Sequence, residues 1–138
     1  MNKPTVAFVC VQNAGRSQMA TAFAIQEKQR RRMDLRILTG GTDPADQVHP
    51  EVVNVMSERD LDLTQRTPRE ITPDELESAD IVITMGCSAE DVCPVNFAGE
   101  PRDWNLDDPD GEDLDVVRSI RDEIEQRVLN LFDKLEAK

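Results

Sequence analysis

One short segment of the sequence places a thiol, a guanidinium and a hydroxyl at fixed intervals. Cys10 ends an apolar run, Arg16 follows after five intervening residues, and Ser17 comes directly after Arg16. A loop of this length between a strand and a helix can turn its backbone N–H groups towards one point, which forms a nest for a tetrahedral oxyanion. The N-terminus of the following helix adds free N–H groups and a positive dipole end. The spacing therefore predicts a site where a cysteine attacks a bound oxyanion.

Each residue type in this loop suits one task. Arg16 can donate a fork of hydrogen bonds to two oxygens of the anion, Ser17 can donate to the Cys10 sulfur, and the same positive field stabilises a thiolate. Asn13 can tie the loop together through its amide and tolerates a left-handed backbone. For a lone cysteine, the alternative is a small buried core residue. The predicted oxyanion loop comprises Val11, Gln12, Asn13, Ala14, Gly15 and Arg16, with Cys10, Arg16 and Ser17 as predicted catalytic residues.

The elements that must position this loop follow from the hydrophobic pattern. Apolar runs suited to buried strands cover residues 5–10, 35–39 and 80–85, with a short one near 102–105, and Gly40 and Gly41 are expected to stop the second. Helices are predicted from residue 16 or 17 to about 32, from about 50 to 59, from 73 to near 78 with Thr72 as cap, and from about 114 to 135. This alternation predicts one α/β domain over residues 1–138, with a parallel sheet and helices on both faces. Ligands of such sheets bind beyond the carboxyl ends of the strands, where Cys10 lies.

The composition excludes several classes of protein. The 138 residues include 16 Asp, 12 Glu, 12 Arg and 4 Lys, and the net charge of −12 argues against nucleic acid or an anionic membrane as a partner. Asp excess with scarce Lys indicates a surface adapted to high salt, the alternative being an ordinary acidic protein. No apolar run approaches the roughly 20 residues that span a bilayer, and residues 1–4 lack a secretory signal. We therefore expect a cytoplasmic protein, and we expect it to act as a monomer.

The motifs resemble those of the low-molecular-weight protein tyrosine phosphatases over nearly the whole chain. Residues 10–20, Cys-Val-Gln-Asn-Ala-Gly-Arg-Ser-Gln-Met-Ala, are most similar to the arsenate reductases of that family, and the likeness continues in residues 39–42, 83–87, 93–94 and 104–109. The resemblance implies a four-stranded parallel sheet flanked by helices. It also implies arsenate as the substrate, with phosphate or sulfate as competing oxyanions and no bound cofactor.

The resemblance also implies a general acid. The leaving oxygen needs a proton, which a carboxylic acid on a loop over the anion can deliver. Several acidic residues crowd this part of the sequence, so the residues alone leave the choice open. The family pattern assigns the role to Asp108, whose backbone is restricted by the following Pro109, and Asp107 is the alternative.

Two further thiols decide between two kinds of chemistry. A phosphatase needs only Cys10, Arg16 and an acid, whereas an arsenate reductase must also deliver two electrons. The resemblance implies catalytic roles for Cys87 and Cys93, through a Cys10–Cys87 disulfide and then a Cys87–Cys93 disulfide that an external reductant, thioredoxin-like or a small thiol, returns to thiols.

The residues alone leave other roles open for these two thiols. They can form a structural disulfide, which a reducing compartment disfavours, or remain inert. A zinc site is disfavoured because only His49 is available as a further ligand, so no metal is expected. Two alternative functions also stay open: a phosphatase acting on phosphotyrosine or small phosphoesters, and a non-catalytic oxyanion-binding or redox-sensing module. The sequence contains no Tyr, and the tyrosines that guide aryl substrates in many relatives are therefore missing, which counts against phosphotyrosine.

Overall fold

The fold is built on one parallel sheet with helices packed against it. The computed structural model describes residues 4–85, 100–104, 106 and 111–136. In this part of the chain the sheet has the order β2-β1-β3-β4, and every pairing is parallel. The strands are β1 (Thr5–Cys10), β2 (Arg36–Gly41), β3 (Ile81–Met85) and β4 (Glu100–Asp103), and the helices are α1 (Arg16–Arg31), α2 (Pro50–Ser57), α3 (Pro73–Ser78) and α4 (Leu114–Glu136). The α/β class and the parallel sheet predicted from the sequence are confirmed.

The central strand β1 is buried on both faces. Its alternate residues Val6 and Phe8 join a core that also contains buried residues of α1, α2 and α4. Ala7 and Val9 point to the opposite face, into a smaller core that includes Leu76 of α3. Because successive side chains of a strand alternate between faces, an unbroken apolar run is what a strand covered on both sides requires. Helices therefore cover both faces of the sheet.

The prediction that Gly40 and Gly41 stop the second strand is wrong, since β2 runs through both glycines. The reason is close packing on either side. A Cβ at Gly40 would lie 2.5 Å from Ile71 Cβ, and a Cβ at Gly41 would lie 2.4 Å from the backbone oxygen of Val11. The glycines therefore allow β2 to approach two neighbouring segments closely. The preference of glycine for turns does not reveal this role. The other boundaries move by small amounts, with α2 ending at Ser57 and β4 beginning at Glu100.

The helices follow local sequence signals closely. Thr72 caps α3 through a complete capping box, in which its hydroxyl accepts from the Glu75 N–H at 3.1 Å while the Glu75 carboxylate accepts from the Thr72 N–H at 3.1 Å. The apolar stripe of α4 faces the core as predicted. Arg121 is also buried on that face, where it donates to the Val55 carbonyl at 2.9 Å and so ties α4 to α2. Within the described residues, no helix is both long and apolar enough to cross a membrane.

Candidate active site

The predicted nucleophile lies at the carboxyl edge of the sheet, in the middle of it. Cys10 is the last residue of β1, and its register partners are Gly41 at the end of β2 and Met85 at the end of β3. The side chain is almost fully buried, with 3% of its surface exposed. Residues 11–15 then form the loop that leads into α1. Three strand ends thus meet beneath one loop, at the place where sheets of this kind bind ligands.

The loop carbonyls are turned outward by bonds to the surrounding chain. The carbonyl of Cys10 accepts from Thr42 N–H at 3.2 Å, and that of Val11 accepts from Asp43 N–H at 2.8 Å. Those of Gln12 and Ala14 accept from the N–H groups of Ala45 at 2.9 Å and His49 at 3.0 Å. In a planar trans peptide the C=O and the next N–H point in opposite directions. The N–H groups of the loop therefore face its interior, which is the arrangement that an oxyanion nest requires.

Two donors contact the Cys10 sulfur. The Asn13 N–H donates to Cys10 Sγ at 3.1 Å, and Ser17 Oγ lies 2.8 Å from the same sulfur. Ser17 Oγ already accepts a hydrogen bond from the Asn13 amide nitrogen at 2.7 Å, so its own proton is available for the sulfur. These two contacts fix the position of the sulfur within the loop, which is what a nucleophile for a bound oxyanion requires.

Asn13 holds the loop in shape. Its φ of 52° lies in the left-handed region, which Asn tolerates better than most residues. Its fully buried amide donates to Ser17 Oγ and to Thr39 Oγ1 at 2.9 Å, and it accepts from Gln18 Nε2 and from the Arg69 N–H, both at 3.0 Å. All four hydrogen-bonding positions of the amide are thus occupied. The sequence predicted that Asn13 ties the loop together, and these four partners show how.

Several of the supporting residues were not found from the sequence. Gln18 donates to both the carbonyl and the amide oxygen of Asn13, and Arg66 Nε donates to Gln18 Oε1 at 2.5 Å. Arg69 Nη1 donates to the Thr39 carbonyl at 2.7 Å, and its Nη2 donates to both carboxylate oxygens of Glu75 at 2.8 and 2.9 Å. The pKa of Glu75 is accordingly held below its ordinary value, mainly by the Arg69 hydrogen bonds. The two arginines come from a polar connector without periodicity, so no pattern in the sequence pointed to them.

Arg16 extends from the start of α1 across the site. It is buried, with 9% of its surface exposed, and its Nη1 donates to the Leu106 carbonyl at 2.8 Å. Leu106 precedes the predicted acid Asp108 by two residues. Four residues that the sequence predicts for the site lie outside the described residues, and their roles stay predictions: Cys87, Cys93, Asp107 and Asp108. Arg16 therefore links the oxyanion loop to the segment that leads into the acidic stretch.

The only histidine and the only tryptophan of the sequence lie beside the site rather than within it. His49 is the N-cap of α2, and its Nε2 lies 3.0 Å from Gln12 Oε1 of the loop. Trp104 is buried against Phe8 with ring centroids 6.0 Å apart, and the Arg127 guanidinium lies 6.0 Å from the Trp104 ring centroid. His49 therefore supports helix entry and the loop, and Trp104 packs the sheet edge.

The sequence of this chain is similar to those of known proteins over most of its length. The family model for low molecular weight phosphotyrosine protein phosphatase matches residues 5–138. A Halobacterium salinarum protein named "Putative arsenate reductase" is 60% identical over 129 residues, which cover 92% of this chain and 89% of that protein. A Bacillus cereus protein named "Arsenate reductase 1" is 38% identical over 128 residues, which cover 92% of each chain. The Halobacterium relative fits the salt-adapted surface expected from the composition.

Solved structures share the fold across nearly the whole chain. The thioredoxin-dependent arsenate reductase Cg_ArsC1' of Corynebacterium glutamicum matches with a TM-score of 0.79 at 35% identity, over 98% of this chain and 63% of that one. A structure described as an arsenate reductase in the phosphate binding state matches with a TM-score of 0.82 at 31% identity, over 95% of this chain and 98% of that one.

Proposed function

The chain belongs to the low molecular weight phosphotyrosine protein phosphatase family, and we propose that within this family it reduces arsenate to arsenite. The observation that carries the oxyanion chemistry is the Cys10 sulfur, held by Asn13 N–H and Ser17 Oγ beneath a loop whose N–H groups face inward. Arsenate is a tetrahedral oxyanion with the shape and charge that such a nest accommodates. The relatives named as arsenate reductases support reduction over hydrolysis.

The first step is nucleophilic attack. The Cys10 thiolate attacks arsenic, an arsenic–sulfur bond forms, and one arsenic–oxygen bond breaks. The departing oxygen takes a proton, which we assign to Asp108, and leaves as water. Arg16 and the loop N–H groups neutralise the charge on the remaining oxygens. The bond from Arg16 to the Leu106 carbonyl supports this assignment, because it couples the guanidinium to the chain two residues before Asp108.

The second step supplies the electrons. The Cys87 thiolate attacks Cys10 Sγ, so that a sulfur–sulfur bond forms and the sulfur–arsenic pair stays on arsenic, which leaves as arsenite. Cys93 then attacks Cys87, which releases the Cys10 thiolate and leaves a Cys87–Cys93 disulfide. The register supports this relay, since Met85 pairs with Cys10 and the chain from Met85 to Cys87 spans at most about 7 Å.

The cycle closes when an external dithiol reduces the Cys87–Cys93 disulfide. The thioredoxin-dependent relative from Corynebacterium supports a thioredoxin-like protein as that reductant, with a small thiol as the alternative. The three thiols must be free before each turnover, a condition that a reducing cytoplasm meets. We therefore place the reaction in the cytoplasm, and we infer that the chain works as a monomer because every assigned role falls within one chain.

The experiment compares Cys87→Ser and Cys93→Ser with the wild-type protein after one equivalent of arsenate. We expect Cys93→Ser to release arsenite once and stall as a Cys10–Cys87 disulfide, which peptide mapping without reduction detects. Cys87→Ser is expected to release none, and both variants lose multiple turnover. Cys10→Ser is the control that shows no arsenate chemistry.

A parallel assay of p-nitrophenyl phosphate hydrolysis separates the two functions of this family. Any hydrolysis by the wild-type protein should persist in both distal variants, because Cys10, Arg16 and Asp108 suffice for it. Full arsenate turnover in both variants with thioredoxin as sole reductant would contradict the relay. Hydrolysis of aryl phosphate without any arsenate reduction by the wild-type protein would favour the phosphatase function instead.

A further inference from the structure

A pocket lies beside Arg66, which bonds to Gln18 and is thereby connected to the oxyanion loop. It has a volume of about 330 Å³ between α2 and the connector that follows it. Four apolar side chains line it, from Val48, Pro50, Val53 and Leu63. The polar lining consists of Gln47, Thr64 and Arg66. None of these residues belongs to the oxyanion loop, so the pocket is a separate feature of the molecule.

Arg66 is the unusual member of this lining. Seven other arginines in the described part of the chain bond to carboxylates: Arg30, Arg31, Arg59, Arg69, Arg118, Arg121 and Arg127. Arg66 is half-buried, and among the described residues its guanidinium bonds only to the neutral Gln18 Oε1, through Nε. Burial lowers the pKa of Arg66, and no carboxylate of the described segments opposes that effect. Within the part of the chain that the structure describes, Arg66 is therefore a half-buried cation without a carboxylate partner.

The two Nη groups of Arg66 determine which class of ligand the pocket can bind. Nε donates to Gln18, and the two Nη groups have no acceptor among the residues that the structure describes. Their fork matches the two oxygens of a carboxylate. The four apolar walls favour a ligand with a short hydrocarbon body rather than a bare inorganic ion. The volume corresponds to roughly eleven water-sized units of about 30 Å³, enough for a small branched acid.

We propose that this pocket is a binding site for a small aliphatic monocarboxylate, with its carboxylate on the Arg66 Nη groups and its hydrocarbon part against Val48, Val53 and Leu63. The site is distinct from the oxyanion loop, yet the two share a connection. Arg66 holds Gln18, and Gln18 holds both oxygens of Asn13. Because the guanidinium is planar and rigid, an occupant that holds its Nη groups also fixes the direction of the Nε–H bond to Gln18.

The test is a titration with isovalerate, followed by the backbone amide signals in two-dimensional NMR. Ionic strength is held constant, and saturating phosphate occupies the oxyanion loop so that the probe cannot bind there. We expect saturable shifts at Val53, Leu63 and Thr64. The neutral analogue isovaleramide should bind at least about tenfold more weakly, because hydrogen bonds to a charged carboxylate are stronger than those to a neutral amide.

Two variants make the test specific for the guanidinium. Arg66→Gln should weaken isovalerate binding by about tenfold or more, while Arg36→Gln, which removes an equal charge from an exposed position, should leave it unchanged. Arg66→Lys keeps the charge without the fork and should give an intermediate affinity, which keeps the test informative if Arg66→Gln unfolds. Equal binding of acid and amide, equal binding by Arg66→Gln, shifts confined to the oxyanion loop, or a strictly linear wild-type titration would each overturn the proposal.

Discussion

Replacement of Asn13 tests the structural origin of the active-site loop. Asn13→Ala removes an amide that makes four hydrogen bonds from a fully buried position. It also forces alanine into a backbone with φ of 52°, which the Cβ of ordinary residues disfavours. Asn13→Gly loses the same four bonds and accepts the left-handed backbone without penalty. The pair of variants therefore separates the side-chain contribution from the backbone contribution.

The expected size follows from these contacts. Each of the four neutral hydrogen bonds contributes about 1 kcal/mol, and their partners recover part of that energy after the substitution. The free energy of unfolding should therefore fall by about 2–4 kcal/mol. The left-handed alanine adds about 1 kcal/mol, so we expect Asn13→Ala to lose about 3–5 kcal/mol in total. For a chain of this length, each kcal/mol lowers the Tm by about 3–5 °C, which predicts a fall of about 9–25 °C. Asn13→Gly should be more stable than Asn13→Ala by about 1 kcal/mol.

Urea unfolding of the two variants measures this difference, and the rate of Cys10 alkylation by iodoacetamide reports on the loop. Both variants should react more slowly at Cys10 than the wild-type protein, since the N–H that donates to the sulfur is no longer held in place. Glycine ordinarily destabilises a folded backbone relative to alanine, so the reversed order is diagnostic. An alanine variant as stable as the glycine variant, or a loss below about 1 kcal/mol for either, would refute this account of the loop.

Two further predictions concern the packing around the loop and the helices. Phosphate bound in the loop should protect Cys10 against iodoacetamide, and Gly41→Ala should abolish this protection, because its Cβ would meet the Val11 oxygen at 2.4 Å and the Asn13 nitrogen at 3.0 Å. Gly40→Ala should lose stability but keep the protection. Retained protection in folded Gly41→Ala would show that the loop gives way. Hydrogen bonds from Arg118 and, to a smaller extent, Arg121 lower the pKa of Glu58 from 4.5 to about 2. The contribution of Glu58 to stability is therefore present above pH 4.5 and is lost as the pH falls towards 2. Urea unfolding of Glu58→Gln over that pH range should show a shallower decline than wild type, and parallel curves would argue against it.

Local patterns in the sequence were sufficient for the elements and for the central part of the loop. The unbroken apolar run of β1, the capping box of α3 and the three-to-four spacing of α4 are each set by residues close together in the chain, and each is present in the structure. Cys10, Arg16 and Ser17 belong to the same class, because a strand, a loop and a helix start bring them together without help from distant segments. Their spacing was therefore visible in the sequence.

The support of the loop was decided by tertiary structure alone. Asn13 meets Arg69 across 56 positions of the chain, and Gln18 meets Arg66 across 48. Gly41 is required by the approach of the Val11 carbonyl, and Arg121 is buried by the end of α2 rather than by any apolar periodicity. Hydrophobic patterns encode which side of an element faces the core, since burial depends on the residue's own side chain. They do not encode which polar partners meet there, because a hydrogen bond between distant segments depends on the position of both.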